Sequence, residues 1–305
     1  MTLDQLRVFV AVAERQHVTQ AAQALNLAQS AASAAIAALE EQYATKLFHR
    51  VGRGIELTEA GRLFLSEAKA VLARAAAAEL ALAELGGLRR GTLNVHASQT
   101  IAGYWLPRHL VAFHRAWPEV EIRMTAGNTA QVAAAVADGA AELGFVEGAV
   151  THPALLGTAI ARDRLVLVVG PEHPWAGGAA VAPADLLRTE WVLREPGSGT
   201  RSAFEAALVE TFGLSPARLS VAMELPTNEA VRAAVAAGLG ATVISASVAA
   251  PGLEAGLLRL VEVPFPDRAY WVLRHRDRAP GRAAEGLLAV VAGGGRGGKG
   301  RAGRA

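Results

Sequence analysis

The stretch Thr19-Gln20-Ala21-Ala22-Gln23-Ala24-Leu25-Asn26-Leu27-Ala28-Gln29-Ser30-Ala31-Ala32-Ser33 decides the reading of this chain. Thr19 is placed to cap a short helix that ends near Leu25. Asn26-Leu27-Ala28 forms a tight turn. A further helix runs from Gln29 to about Tyr43, with Ala32, Ile36 and Leu39 as its inner stripe. Upstream, Leu6, Phe9, Val10 and Ala13 mark one face of a first helix. Downstream, Leu47-Phe48, a basic glycine-bearing stretch from His49 to Gly54, and Ile55-Glu56-Leu57 predict two short strands around a loop. This is a helix–turn–helix with a wing.

A helix held by such a turn can enter the DNA major groove and read base edges. Its outward face offers Gln29, Ser30, Ser33, Ala34 and Ala37. Glutamine bonds adenine bidentately, serine bonds several edges, and alanine methyls meet thymine methyls. Lys46, His49, Arg50 and Arg53 on the wing would hold phosphates, which gives affinity and register without sequence information. A plain three-helix bundle with a solvated basic loop is the competing reading.

Further along, Phe64, Ala68, Val71, Ala75, Ala78, Leu82 and Leu85 repeat at heptad spacing with no polar break. Thr58 starts this helix and Gly86-Gly87 ends it, a length of about 45 Å. A second copy of the chain is the simplest cover for so long a stripe. From Thr92, short β-type runs (92–97, 121–125, 143–146, 165–169, 191–193 and 241–244) alternate with alanine-rich helical runs. That pattern predicts parallel sheets with helices on their faces, divided into two lobes because some 200 residues exceed one such sheet.

The chain has 305 residues, no cysteine and a net charge of +2. Absence of cysteine excludes disulfides, thiolate metal sites and cysteine nucleophiles. It also fits a reducing cytoplasm. Arg296, Lys299, Arg301 and Arg304 lie in the last ten residues, so the body is close to neutral and any DNA contact must come from a local patch. Asp4 stands where a secretory signal would be basic. The uncharged run 233–253 is broken by Gly238, Gly240, Ser245, Ser247, Pro251 and Gly252, so it reads as buried core and not as a membrane span.

Hydroxyl- and glycine-rich junctions follow the strands: Ser98-Gln99-Thr100, Gly127-Asn128-Thr129, Gly197-Ser198-Gly199-Thr200 and Thr227-Asn228-Glu229. Open α/β sheets bind ligands at the carboxyl ends of their strands, where helix N-termini favour anions. His96 reads as a packed strand residue, and His109 and His114 as surface histidines. Gly238-Leu239-Gly240 follows a helix and reads as its C-cap. No phosphate loop, zinc-protease motif or nucleophile elbow occurs. Ser198 has no histidine or lysine partner in sequence, so no enzyme is expected, and no metal site or cofactor.

Five linked motifs then carry a resemblance: Leu3-x-x-Leu6-x-x-Phe9, Thr19-x-Ala21-Ala22-x-x-Leu25, Gln29-x-Ala31-x-Ser33-x-x-Ile36-x-x-Leu39-Glu40, Leu47-Phe48-x-Arg50 and Leu57-Thr58-x-Ala60-Gly61. In this order they resemble the N-terminal signature of LysR-type transcriptional regulators. The resemblance reaches to about residue 290. It implies a winged helix–turn–helix DNA-binding domain (1–57), a linker and dimerisation helix with hinge (58–90) and a two-lobed effector-binding domain of the type II periplasmic-binding-protein kind (91–292); the Gly/Arg/Lys low complexity of 293–305 predicts a disordered basic tail. The partners implied by the resemblance are double-stranded promoter DNA, a small-molecule effector, and further copies of the chain as dimer and tetramer. RNA polymerase is an additional candidate. A solute-binding transport receptor is the alternative.

Ala28 stands where the family often has serine, and Ala34, Ala35, Ala37 and Ala38 stand where it usually has polar or basic residues. Phosphate anchoring and operator shape are therefore expected to weigh more than base contacts. Thr100-Ile101-x-x-Tyr104-x-Leu106-Pro107, Val146-Glu147-Gly148, Arg194 to Arg201 and Asn228 to Gly240 are similar to the branch of carbon-fixation and sulfur-metabolism regulators. That similarity implies a small anionic effector: a sulfur oxyanion, a carboxylate or a phosphorylated metabolite. Ser98, Gln99, Thr100, Asn128, Ser198, Gly199, Thr200 and Asn228 are the candidate contacts. Glu147 is left to repel an anion, pair with an arginine or bind an effector hydroxyl.

Overall fold

The computed structural model describes residues 1–51, 54–85, 91–178 and 180–294, with side chains beyond Ala75 in the long helix described only at Ala78. Two compact units are present. One is built on residues 1–88, the other on residues 89–137 and 141–305.

In the first unit, α1 (Leu3–Arg15) opens with a capping box in which Thr2 and Gln5 satisfy each other's backbone N–H groups. α2 (Val18–Ala24) and α3 (Gln29–Gln42) follow. The cap of α2 is His17, whose ring accepts the Gln20 N–H at 3.5 Å, and not Thr19, which lies inside the helix. Asn26 takes φ +54° between the two helices, a left-handed conformation that asparagine tolerates better than most residues. Strands β1 (Phe48–Val51) and β2 (Gly54–Leu57) pair antiparallel as the wing. Phe9 sits at the centre, 5.4 Å from the Phe48 ring and 4.8 Å from Phe64.

The long helix α4 (Glu59–Leu85) starts where Thr58 Oγ1 accepts the Gly61 N–H. A Cβ on Gly61 would overlap the Leu47 carbonyl oxygen, so glycine lets this helix press onto the wing. The expected stripe needs correction at its start. Ala68 is fully buried with Leu6, Phe9, Leu39 and Leu47, and Phe64 packs on the same cluster. Ala68 is thus covered by its own chain and needs no partner, while Phe64 is half-buried against the same cluster. The exposed apolar residues of α4 are instead Leu63 (69% exposed) and Val71 (41%), with Ala78 also exposed. The side chains of Leu82 and Leu85, and the hinge 86–90, lie outside the described residues.

The second unit has two lobes. Lobe I holds β3 (Gly91–Ser98), a π-helical turn (Ile101–Trp105), α5 (Leu106–Ala116), β4 (Val120–Gly127), α6 (Thr129–Asp138), β5 (Leu143–Glu147) and β6 (Leu155–Asp163). The chain crosses to lobe II for β7 (Leu165–Val169), β8 (Glu190–Arg194), α7 (Gly199–Glu210), β9 (Ser220–Leu225), α8 (Asn228–Ala236), β10 (Ala241–Ser245), α9 (Ala246–Glu254) and β11 (Arg259–Val261). It returns to lobe I for β12 (Arg268–His275) and α10 (Arg282–Gly294). The sheet orders are β4-β3-β5-β12-β6 and β11-β7-β10-β8-β9.

All six expected strands are present, but the sheets are mixed and not parallel. β12 runs antiparallel to β5 and β6, and β7 runs antiparallel to β10 and β11. Each antiparallel member is the first strand after a crossing, β7 on the way into lobe II and β12 on the way back, and a pattern of alternating strands and helices does not reveal those crossings. Leu93, Phe113, Phe145 and Leu287 lie in one core, and Leu167, Trp191, Phe204 and Val243 in another.

His109 corrects a further expectation. It is buried on the Trp105 ring at 4.3 Å, and its Nε2 accepts from Arg108 Nε at 3.2 Å. Burial, then the Arg108 charge, holds its pKa below the ordinary histidine value. His114 is exposed, and His96 is a half-buried residue of β3. Gly238, at φ +98°, closes α8 by donating to the Val235 carbonyl, as a C-cap should. Residues 233–253 divide into the end of α8, a turn, β10 and α9, and among the described residues no helix is long and apolar enough to cross a membrane. The final helix includes residues 293 and 294, so the expected tail boundary falls inside it, and residues 295–305 lie outside the described residues.

Candidate DNA-reading face and effector cleft

α3 buries Ala32 and Leu39 and turns Gln29, Ser30, Ala34 and Ala37 to solvent. Ser33 is half-buried, and Gln29 Nε2 donates to its Oγ at 3.2 Å. The amide of Gln29 is thus held by its own helix, and from Gln29 to Ala38 the exposed face carries no charge; the first exposed charge of α3 is Glu41. Gln29 and Arg50 line one pocket of about 320 Å³ together with His17 and Thr19, which brings helix start and wing to the same surface. His49 and Arg50 are exposed on β1, and His49 lies 3.7 Å from Glu56 on the facing strand. Lys46 is exposed but ion-paired with Glu40 at 2.6 Å. Arg53 lies outside the described residues.

Glu40 was not among the candidate contacts, yet it sets the wing's position. Its carboxylate is 8% exposed and accepts the N–H groups of Leu47 at 2.8 Å and Phe48 at 3.2 Å, in addition to Lys46. Burial raises its pKa, but the Lys46 hydrogen bond, the two backbone N–H groups and the Lys46 charge outweigh it and hold the group below its ordinary value. One side chain at the end of α3 therefore fixes the first residues of β1. The acidic residue following Leu39 was visible in the sequence, but its target, two backbone groups seven and eight residues on, was not.

In the second unit the expected junctions converge. Ser98, Thr100, Glu147, Ser198, Thr200 and Asn228 are all at most 3% exposed. Ser98 Oγ is buried with no hydrogen-bond partner among the described residues. Ser198 caps α7, with the Arg201 N–H 3.5 Å from its Oγ. Gly199 follows, and a Cβ there would lie 2.5 Å from Thr129 Oγ1 and 2.8 Å from the Glu147 carbonyl oxygen. Only glycine lets the start of α7 approach lobe I so closely. Glu147 meets Arg268 at 3.8 Å and Thr129 Oγ1 at 3.5 Å, so of its three readings the arginine pair is the arrangement present.

Gln99 and Asn128 serve differently from a simple ligand contact. Gln99 donates to the Pro226 carbonyl at 2.8 Å and accepts the Asn228 N–H at 3.2 Å, which occupies a donor at the start of α8. Asn128 caps α6 through Gln131 and donates to Glu195 at 3.1 Å. Both tie lobe I to lobe II. Two further bonds do the same: Asn228 to Thr100 at 3.0 Å and Arg268 to Thr200 at 3.0 Å.

Arg194 and Arg268 were not singled out as contacts. Arg194 is 4% exposed and bonds Glu195 and Asn228. Arg268 starts β12, pairs with Asp163 at 2.7 Å, and Asp163 in turn accepts from Ser245 Oγ at 2.7 Å. Arg194 opens the segment Arg194 to Arg201, four residues ahead of Ser198 in sequence. Arg268 opened a strand whose existence the sequence did not announce.

A winged helix–turn–helix joined to a two-lobed domain with a polar cleft is the construction of a DNA-binding transcriptional regulator with an effector-binding domain. Residues 3–62 match the bacterial regulatory helix–turn–helix protein of the lysR family, and residues 86–295 match the LysR substrate binding domain. The chain belongs to the LysR family, whose members are transcriptional regulators and not enzymes. It is 36% identical over 280 residues to the uncharacterized HTH-type transcriptional regulator YeiE of Escherichia coli K12, covering 91% of this chain and 92% of that one. The full-length structure of CbnR with its target DNA has a TM-score of 0.68 at 24% identity, covering 95% of this chain and 99% of that one. The regulatory domain of CcmR from Synechocystis PCC6803, in complex with 2-PG, has a TM-score of 0.62 at 23% identity, covering 68% and 99%.

Proposed function

We propose that this regulator binds a small anion in the cleft between its lobes, and that the anion modulates its binding to promoter DNA. The observation that carries the reading is Ser98 Oγ, a hydroxyl buried to 2% exposure with no partner among the described residues. An unpaired buried polar group costs about 1–3 kcal/mol, a cost that a ligand able to bond it recovers. Thr100, Ser198 and Thr200 are buried in the same cleft, and the N-terminus of α7 begins there, where the helix dipole favours negative charge. The CcmR domain holding 2-PG has the same fold and supports a ligand of this class.

On this reading Gln29, Ser30, Ser33, Ala34 and Ala37 face the bases, while Lys46, His49, Arg50 and Arg53 meet phosphates. Two chains pair through the outward face of α4, at Val71, Ala75 and Ala78 with Leu82 and Leu85 beyond, and dimers pair into tetramers. The protein works in the cytoplasm, with promoter DNA and RNA polymerase as its macromolecular partners. Effector binding favours one lobe arrangement over another and so alters how the DNA-binding units engage the operator.

The test is a thermal-shift screen of the full chain against sulfite, sulfate, thiosulfate, phosphate, sugar phosphates and short carboxylates, followed by footprinting with any ligand found. A ligand at 100 times its dissociation constant stabilises by about 2.7 kcal/mol, a readable shift. Ser98→Ala should lower the affinity. A panel without a hit overturns the anion, and a saturating effector that leaves both footprint and DNA bend unchanged overturns the coupling to DNA.

A further inference from the structure

The polarity of the cleft hydroxyls is set by two arginines. A guanidinium donates hydrogen bonds and accepts none. Arg194 Nη1 lies 2.6 Å from Asn228 Oδ1, so the amide oxygen must face the arginine. The amide nitrogen then faces Thr100, with Nδ2 3.0 Å from Oγ1. An amide NH₂ also only donates, so Thr100 must accept. At the second site Arg268 Nη1 lies 3.0 Å from Thr200 Oγ1, and Thr200 must accept as well. Each hydroxyl has one proton left, and among the described residues no protein acceptor takes either.

The two relays cross the cleft in opposite senses. Arg194 and Asn228, on lobe II, act on Thr100 of lobe I. Arg268, the first residue of the lobe I strand β12, acts on Thr200 of lobe II. Arg268 is itself fixed by Asp163, its partner in the β6–β12 register, at the point where the chain passes between lobes. We infer that Arg194, Asn228 and Arg268 are positioning residues that hold Thr100 and Thr200 as proton donors toward the effector, and do so only while the lobes are closed. Opening the lobes separates each hydroxyl from the group that orients it, so a ligand presenting acceptor oxygens binds the closed arrangement in preference to the open one. This rests on the anion-binding reading above and adds to it which residues enforce the choice.

The test is calorimetric titration of the full chain with inorganic sulfate, sulfite and phosphate, for wild type, Asn228→Asp, Thr100→Val and the double variant. In Asn228→Asp the introduced carboxylate still faces Arg194 but has no proton to give Thr100, so the Thr100 hydroxyl turns to donate to it and withdraws from the ligand. Thr100→Val deletes the hydroxyl. Each single variant should lose about 10- to 100-fold in anion affinity, the range of a hydrogen bond to a charged group. The double variant should lose no more than Asn228→Asp alone, because the introduced carboxylate has already turned the Thr100 hydroxyl away from the ligand, a non-additivity that a merely structural role of Asn228 would not produce. If Asn228→Asp does not fold, Arg194→Met carries the same comparison, since it frees the Asn228 amide to flip. Anion affinity retained in Asn228→Asp, or full additivity with Thr100→Val, overturns the relay while leaving the anion reading intact. A wild-type chain that binds none of the three anions overturns both.

Discussion

Replacing Glu40 by glutamine should loosen the wing without unfolding the unit. The native carboxylate accepts three hydrogen bonds: Leu47 N–H at 2.8 Å, Phe48 N–H at 3.2 Å and Lys46 Nζ at 2.6 Å. Both backbone bonds end on the same oxygen, so glutamine can keep them as neutral bonds of roughly half the strength. Its NH₂ group then faces the Lys46 ammonium, donor against donor. Lost charge assistance and a lost ion pair together amount to about 1–3 kcal/mol. Because the perturbed bonds anchor the start of β1, the loss should appear as local opening. Hydrogen exchange of the Leu47 and Phe48 amides in the full chain should accelerate about 5- to 150-fold, with α1 amides little changed. The sign with pH is also set. The pKa of Glu40 is lowered in the folded protein, so its contribution is present above the unfolded carboxylate pKa and is lost as pH falls through the folded value. Corrected for intrinsic exchange, the wild-type wing should lose protection on acidification and the glutamine variant should not. Unchanged exchange at Leu47 and Phe48 in Glu40→Gln would refute the reasoning.

Other consequences are as specific. Ala68→Leu forces a larger side chain into the fully buried cluster around Phe9 and should cost about 1–3 kcal/mol in denaturant unfolding. Leu63→Glu, at a site 69% exposed, should leave unfolding within about 0.5 kcal/mol; if the outward face of α4 is the pairing surface, sedimentation should instead report a smaller assembly. Ser33→Ala should change operator affinity less than about threefold in gel-shift titrations, whereas Arg50→Ala should weaken binding to all sequences and reduce the salt slope by about 1. A loss of several kcal/mol on Ser33→Ala would show that base contacts dominate after all. Gly199→Ala places a methyl against Thr129 and the Glu147 carbonyl; small-angle scattering should find the lobes more open, and a scattering curve identical to wild type would contradict the close approach.

The local elements were legible in the residues. Helix periodicity, the Asn26 turn, the Thr58 start of α4 and the strand runs depend on neighbours in sequence, and the structure places each where the pattern does, apart from the α2 cap, which His17 takes. The junctions at Ser98, Gly197 and Thr227 were legible for the same reason, because a chain leaving a strand and starting a helix needs small and hydroxyl-bearing residues. Tertiary structure decided what those residues face. It turned Phe64 and Ala68 inward, since a helix stripe does not say which of two covers is nearer. It made both sheets mixed, since β7 and β12 are each entered by a crossing between lobes. It buried His109 on Trp105. It brought Arg194, Arg268 and Asp163 to the hydroxyls, with Arg268 joined to Thr200 across 68 residues and to Asp163 across 105. Hydrogen-bond polarity is a property of neighbours in space, so the sequence determined that this chain has a winged helix–turn–helix and hydroxyl-bearing junctions between strands and helices, and only the fold determined which groups those hydroxyls face.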